Sequence, residues 1–199
     1  MDTPGAIMKP MREIEQGILA TNVPIAAYVS PAGARADSAG TYILLACHIA
    51  AMTPTSHLGA ATPVPLMNSP AKDEGDDETP APGIELKAMN DAVAYIRSLA
   101  ERNGGKADWA ESAVTEAATL TAREALEQGV IEFVAEDQQE LLALIDGYEV
   151  EIAGASRNIS TSDAEIEVFE ANWRIRLLSV ISNPEIVLLL GLIGLYGLM

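Results

Sequence analysis

The chain has 199 residues, 49% of them hydrophobic, which is long and apolar enough for one folded domain with a real core. Its 29 acidic and 12 basic residues give a net charge of −17, which argues against a nucleic-acid partner, because phosphates require clustered Lys and Arg. The single cysteine, Cys47, excludes an internal disulfide, and its apolar surroundings indicate an inert buried thiol. No Cys/His cluster has zinc-ligand spacing, so we predict neither a metal nor another cofactor.

Helices and strands alternate in the first third of the chain, a pattern that predicts an α/β fold with parallel strands. The first helix carries apolar residues at helical spacing, namely Met11, Ile14, Ile18 and Leu19. The predicted elements in this part are a helix over residues 10–20, a strand over 23–29, a helix over 42–46, a strand over 48–52 and a loop over 54–63.

A proline-rich acidic segment over residues 64–83 interrupts this pattern, and we predict a flexible loop there. It is either a solvated loop or a mobile lid beside a site. The helix that follows, over 85–102, has one apolar face formed by Met89, Val93, Ile96 and Ala100.

The elements after residue 105 are marked by capping and turn residues. Helices are predicted to start near Asp108 and at Thr121, where Thr121 and Glu124 match a capping box. Gly129 ends the second of these helices. The remaining predictions are a strand over 130–135, a helix over 138–145 stopped at Gly147, and a small antiparallel ribbon, separate from the core, formed by residues 148–152 and 164–169.

An uncharged apolar run over residues 186–199 ends the chain. It is shorter than the ~20 residues that cross a bilayer as a helix. The run has no polar side, so we predict the start of a transmembrane helix, with a buried core helix as the alternative.

Ser38 is the candidate nucleophile. It lies among small residues, in Gly33-Ala34-Arg35-Ala36-Asp37-Ser38-Ala39-Gly40-Thr41-Tyr42, directly before an apolar helix. The N-terminus of a helix has positive potential and free N–H groups, which suits a reaction that forms an oxyanion. The alternative is an ordinary serine helix cap.

Several segments together resemble the ClpP-class membrane-bound serine proteases of the NfeD type. The resemblance covers nearly the whole chain in order. The matching segments are Asp2-Thr3-Pro4-Gly5, residues 33–43, Gly59-Ala60-Ala61-Thr62-Pro63-Val64, residues 87–100, 120–134 and 173–184.

The resemblance implies a ClpP/crotonase-like α/β core with a Ser–Lys dyad. Ser38 matches the family nucleophile and Lys87 the family general base. Gly5 and Ala39 match the residues whose backbone N–H groups form the oxyanion hole. The family usually has two glycines where this chain has Gly5-Ala6. A lysine acts as a base only when its amine is neutral, so we expect Lys87 to be buried.

Other interpretations of these polar residues remain open. Lys87 and Asp91 are four residues apart and could form an ordinary surface ion pair. A conventional triad would combine Ser38 with His48 or His57 and with Asp37 or Asp91. Because His48 lies in an apolar strand, a core histidine is the better interpretation there.

The resemblance also implies a domain organisation. We expect a protease domain over residues 1–146, without the family's first strands and N-terminal targeting segment. A β-ribbon extension over 147–171 follows, and then a juxtamembrane helix with the start of a transmembrane segment over 172–199.

The predicted function is a membrane-associated serine endopeptidase that cleaves apolar peptide segments through an acyl-enzyme. Stomatin-like membrane proteins are the expected substrates or partners, and a homodimer the expected assembly. The alternatives are an inactive relative acting as a membrane scaffold and, less favoured, a crotonase-like acyl-CoA enzyme. The resemblance places the protease domain outside the cytoplasm, whereas Arg174 and Arg176 would by the positive-inside tendency place their flank inside.

Overall fold

A computed structural model describes residues 1–4, 8–63, 82–169, 172–181 and 186–187. The chain divides into two compact units, Met1–Asp163 and Ala164–Met199. The helices are α1 (Met8–Leu19), α2 (Ala39–Ala46), α3 (Pro82–Arg102), α4 (Ala107–Thr115), α5 (Ala122–Glu127), α6 (Gln138–Ile145) and α7 (Trp173–Ile181). The strands are β1 (Ala26–Val29), β2 (Arg35–Asp37), β3 (Ile49–Met52), β4 (His57–Gly59), β5 (Thr119–Thr121), β6 (Phe133–Val134), β7 (Glu149–Ile152) and β8 (Ala155–Asn158).

The first unit is built on a parallel sheet of order β1-β3-β6, which confirms the predicted α/β class with parallel strands. All four residues of β3 are buried, as expected for a central strand covered on both faces. A second small sheet has the order β2-β4-β5, with β2 parallel and β5 antiparallel to β4. Thr3 forms a parallel bridge with Ala36, so the start of the chain lies along β2.

The loop predicted over residues 54–63 is wrong in its centre, where β4 lies. The side chain of Leu58 is fully buried, and Leu58 pairs with Ala36 on one side and Leu120 on the other. Because the strand is only three residues long, the sequence shows too little alternation to indicate it.

The predicted ribbon is also corrected. β7 pairs with β8 and not with residues 164–169, and the two strands are joined by Ala153 and Gly154, both at positive φ (52° and 77°). Two consecutive residues at positive φ are typical of the tight turn of a hairpin. The ribbon is not separate from the core either, because the inward-facing Val150 and Ile152 are buried in one hydrophobic cluster with Ile49 and Leu141.

The buried face of α1 differs from the predicted stripe. Met11, Glu15 and Ile18 are buried, whereas Ile14 is 50% and Leu19 is 37% exposed. The helix is therefore rotated so that a carboxyl group enters the core in place of two aliphatic side chains.

Capping and turn residues are confirmed where the sequence indicated them most clearly. α6 spans the predicted residues, and the carboxylate of Asp137 accepts hydrogen bonds from the N–H groups of Gln139 and Glu140 at its start. Thr121 and Glu124 form the predicted capping box at α5, with Thr121 N–H 2.9 Å from Glu124 Oε2 and Glu124 N–H 3.4 Å from Thr121 Oγ1.

The second unit contains α7, and many of its apolar side chains are exposed, including Trp173, Ile175, Leu177, Leu178 and Ile181. Among the described residues, no helix has both the length and the apolar character needed to cross a membrane. Residues 188–199, most of the predicted transmembrane start, lie outside the described residues, as do residues 64–81 of the predicted acidic loop.

Candidate functional site

Ser38 occupies a sharp turn between β2 and α2, at the residue just before the helix. Its backbone has φ 53° and ψ −116°, outside the regions that residues with side chains normally adopt. Such strain persists only where surrounding contacts fix the conformation, and it concentrates at active sites. A strained strand–serine–helix turn is also the geometry that exposes the nucleophile in many hydrolases.

Backbone hydrogen bonds hold this turn in place. The N–H of Ser38 donates to Gly59 O at 3.0 Å, and the C=O of Ser38 accepts from Thr41 N–H at 3.1 Å. The buried hydroxyl oxygen of Thr41 lies 2.8 Å from the carbonyl oxygens of both Ala36 and Gly59, and it accepts from Gly59 N–H at 3.2 Å. Thr41 thus joins β2, β4 and the first turn of α2 around Ser38, a role that its position within an apolar helix did not signal.

Gly59 allows the end of β4 to lie close to the backbone that leads into β5. Its φ is +136°, and a Cβ there would lie 2.2 Å from Ala118 O. Gly40 in α2 is similarly enclosed, since its Cβ would lie 3.1 Å from Thr3 Cβ. Glycine is therefore required at residue 59, whereas a side chain at residue 40 would need only a small shift of Thr3.

The hydroxyl of Ser38 does not cap its helix. Ser38 is the N-cap residue of α2 but makes no side-chain cap hydrogen bond, so the interpretation as an ordinary cap is not supported. Ala39 is the first residue of α2, and the N–H of a first helical residue has no partner inside its helix. The hydroxyl of Ser38 and the N–H of Ala39 belong to consecutive residues, and neither makes a hydrogen bond within the helix.

Lys87 lies in the second turn of α3 and is exposed. The sequence predicted a buried Lys87 amine, but no part of the described chain covers this side chain. The alternative pairing with Asp91 is not formed among the described residues either, because Asp91 pairs with Arg12 of α1.

The helix that begins at Ser38 contacts the helix that carries Lys87. The ring of Tyr42 in α2 stacks on that of Tyr95 in α3, with centroids 6.1 Å apart and an interplanar angle of 20°. Tyr42 is one helical turn after Ser38, and Tyr95 is about two turns after Lys87.

The two histidines lie in different surroundings. His48 is buried, with Nδ1 accepting from Ile25 N–H at 3.2 Å and Nε2 3.3 Å from Arg102, which confirms a core histidine. Burial and the Arg102 guanidinium lower its pKa. His57 lies 3.7 Å from the carboxylate of Asp37, yet no hydrogen bond joins it to Ser38 in the described chain. Of the conventional triad, His57 and Asp37 therefore lie near each other, but no hydrogen bond joins His57 to Ser38 among the described residues.

Gly5 lies outside the described residues. The segment before it is described: Thr3 N–H donates to Arg35 O at 2.7 Å and Asp37 N–H donates to Thr3 O at 2.9 Å.

Burial raises the pKa of the Cys47 thiol to about 11, in keeping with the inert thiol expected from the sequence.

Two cavities, of about 410 and 580 Å³, lie elsewhere in the first unit, and neither is lined by Ser38 or Lys87. The smaller is polar and lies between His48, Arg102 and β7, whereas the larger lies beside β1. No group of three or more His, Cys, Asp or Glu side chains within the described ranges could hold a metal ion.

Comparisons with known proteins give a consistent result. The chain is 36% identical, over its whole length, to the membrane-bound protease PH1510 of Pyrococcus horikoshii, and it spans 44% of that protein's length. A lysine-to-alanine mutant of the 1510-N membrane-bound stomatin-specific protease, solved with a substrate peptide, superposes with a TM-score of 0.77 at 36% identity. That match covers 91% of this chain and 80% of the solved chain.

A serine-to-alanine mutant of the same protease superposes with a TM-score of 0.72 at 36% identity, covering 86% of this chain and 80% of the solved one. The chain spans less than half of the curated relative. The family described as NfeD1b, N-terminal domain, matches residues 1–155. The chain belongs to the NfeD1b N-terminal domain family.

Proposed function

We infer that the protein is a serine endopeptidase whose nucleophile is Ser38 and whose general base is Lys87. The observation that carries this inference is the strained turn at Ser38, which holds a hydroxyl that no helix cap uses. Supporting it, the chain is 36% identical to a membrane-bound protease of which serine-to-alanine and lysine-to-alanine mutants have been solved. We further propose that the core is ClpP/crotonase-like.

In the proposed reaction, Ser38 Oγ attacks the carbonyl carbon of a peptide bond while its proton passes to the amine of Lys87. The protonated amine then donates that proton to the departing peptide nitrogen, which leaves an acyl-enzyme. Water, deprotonated by the same amine, hydrolyses the ester and restores Ser38. No histidine or metal takes part.

The oxyanion formed in each half-reaction needs hydrogen-bond donors, and we assign these to the N–H groups of Ala39 and Gly5. Each such donor contributes roughly 3 kcal/mol in other acyl-transfer enzymes. Ala39 follows the nucleophile at the N-terminus of α2. For Gly5 the support is register: it is two residues after Thr3, and Thr3 bridges Ala36, which is two residues before Ser38.

Lys87 must lose contact with water before it can act as a base, since desolvation favours the neutral amine. Lys87 is exposed in the described chain. We therefore propose that the bound peptide, or a second copy of the chain in a homodimer, covers α3 at this point.

The proposed substrates are apolar peptide segments, a proposal that is supported by the small, uncharged residues on either side of this turn, Ala39 after Ser38 and Ala60 after Gly59. One solved relative is a protease specific for a stomatin homologue, and we propose stomatin-like membrane proteins as substrates here. The proposed organisation is a protease domain over residues 1–146, a ribbon extension over 147–171 and a membrane-proximal segment over 172–199. The protease domain would lie outside the cytoplasm.

A fluorophosphonate probe, which reacts with activated serine hydroxyls, tests this function directly. We expect labelling of the wild-type protein and of a Lys106→Ala variant, whose lysine is also exposed but lies at the start of α4. Ser38→Ala should remove labelling completely, and Lys87→Ala should slow it at least about a hundredfold, the usual contribution of a general base. Unchanged labelling of Lys87→Ala would exclude the dyad.

An inactive membrane scaffold is the second candidate, and the exposure of Lys87 is the observation that favours it. The same experiment separates the two functions, because a scaffold has no reason to activate Ser38. A wild-type protein that remains unlabelled, with and without an apolar peptide, would support the scaffold.

A further inference from the structure

A cluster of polar side chains around the buried carboxyl group of Glu15 joins the helices α1, α2 and α3. Glu15 of α1 is 0% exposed, and its Oε2 accepts a hydrogen bond of 2.6 Å from the hydroxyl of Tyr95 in α3. Tyr95 in turn stacks on Tyr42 of α2. The guanidinium of Arg12 lies 4.5 Å from the centre of the Tyr95 ring and pairs with Asp91. We refer to Glu15, Tyr42 and Tyr95 as the three-helix cluster.

Glu15 is an unfavourable residue to bury at this position. Burial raises the pKa of its carboxyl group, against the opposing effects of the Tyr95 hydrogen bond and the Arg12 charge. Its Oε1 has no hydrogen-bond partner within the described residues. An aliphatic side chain would fill the same place in α1 without these costs. The hydrogen bond from Tyr95 offsets part of the cost of burying this carboxyl group, and it is the contact through which Glu15 acts on α3.

The members of the cluster are connected to the proposed reacting groups through short, rigid pieces of helix. Tyr42 is about 6 Å along α2 from Ser38, and Tyr95 is about 12 Å along α3 from Lys87. Lys87, Asp91 and Tyr95 follow one another at intervals of four residues and therefore lie along one side of α3. A rotation or shift of α3 at Tyr95 would move Lys87 with it.

We propose that Glu15 is a positioning residue, which through its hydrogen bond to Tyr95 fixes α3, and with it Lys87, relative to Ser38. This inference rests on the proposed function, since it assigns the part of the chain that aligns the dyad. Glu15 touches neither reacting group, so its effect is on the rate of the chemical step and not on the affinity for a ligand. An error of about 1 Å in alignment is enough to reduce a rate by one or two orders of magnitude.

The test uses saturating fluorophosphonate labelling of the purified protein, which separates the maximal rate of inactivation, kinact, from the binding constant of the probe, KI. We expect Tyr95→Phe and Glu15→Leu each to lower kinact about tenfold with KI unchanged within twofold. The double variant should be no slower than either single variant, because both remove the same hydrogen bond. Glu15→Gln should restore kinact to within twofold of wild type, since its amide oxygen still accepts from Tyr95.

Ile152→Ala serves as the control for general destabilisation, because Ile152 is buried in the other hydrophobic cluster. It should lower the melting temperature and leave kinact unchanged. Wild-type kinact in Tyr95→Phe, or an equal loss of kinact in Ile152→Ala, would overturn the positioning role. An unlabelled wild-type protein would instead overturn the proposed function, and this inference with it, so the two failures are distinguished before any variant is made.

Discussion

Gly59 determines how closely the backbone can pack at the end of β4, beside the turn at Ser38. Gly59 carries the carbonyl that receives the N–H of Ser38, and its own φ of +136° is strained for any other residue. The carbonyl of Ala118 fills the space where a Cβ would be. The end of β4 and the backbone that leads into β5 can therefore lie this close together only with glycine at residue 59.

Replacing Gly59 by alanine should lower the free energy of unfolding by about 3 kcal/mol or more, since both a steric overlap and a strained φ are introduced. Gly33→Ala is the matched control, because Gly33 also has a positive φ (+82°) but open space at its Cβ position. We expect it to cost only about 1 kcal/mol. Urea denaturation of both variants measures the difference, and equal losses would contradict a steric origin.

At this scale the sequence predicted which residue forms the turn but not how it is held. The small residues around Ser38 and the apolar helix after it indicated a serine at a helix start, and that is where it lies. The positive φ and the bridging hydroxyl of Thr41 depend on β4, whose position the sequence did not indicate. The burial of Glu15 was unpredictable for a similar reason, because its partner Tyr95 is 80 residues away in the chain.

Helix α5 shows how much one element depends on its first turn. It has only six residues, and its capping box gives partners to N–H groups that would otherwise have none. Short helices have little intrinsic stability, so the cap and the packing of Ala122 and Ala125 hold it together.

We expect Thr121→Ala to lower the free energy of unfolding by about 1 kcal/mol, the usual cost of losing an N-cap side chain. Thr119→Ala provides the control, because Thr119 is an exposed residue of the same strand, β5, and takes no part in the cap. It should change stability by less than about 0.5 kcal/mol. Denaturant titrations of the two variants measure the difference. The same unfolding midpoint for both would show that the cap does not contribute to stability.

The sequence predicted an element well where nearby residues fix its ends. It predicted an element poorly where the ends depend on pairing with strands that are distant in the chain. α6 was predicted with its end at Gly147, which has a positive φ just after the helix, and the structure adds the cap of Asp137 at its start. β2, β4 and β5 have three residues each and exist because they pair with one another. The ribbon was misassigned because alternation alone favoured residues 164–169, whereas the turn at Ala153 and Gly154 closes the hairpin much earlier.

At the scale of the whole molecule, exposed apolar side chains are concentrated in the second unit. Trp173 and Leu178 of α7 are 66% and 62% exposed. Apolar side chains exposed together on one helix are typical of a surface that contacts another protein or a lipid. With a net charge of −17, the chain has no general attraction to anionic lipid, so an apolar contact would have to dominate.

We therefore expect the protein to bind neutral phosphatidylcholine vesicles, and a Trp173→Ser, Leu178→Ser double variant to bind at least about tenfold more weakly. The control is a Val23→Ser, Leu86→Ser double variant, which removes apolar side chains of similar exposure (64% and 61%) from the first unit. Vesicle flotation measures all three proteins. Binding lost equally in both variants would show that the effect is not specific to α7.

The backbone, and not the side chain, fastens residue 38 into its unusual conformation, through contacts with Gly59 and Thr41. Chemistry and architecture are thus separable at this one position. Replacement of Ser38 by alanine should therefore remove the hydroxyl and leave the conformation of the turn unchanged. Under the proposed function, this variant would hold a peptide without cleaving it, and the bound peptide could then be isolated and sequenced.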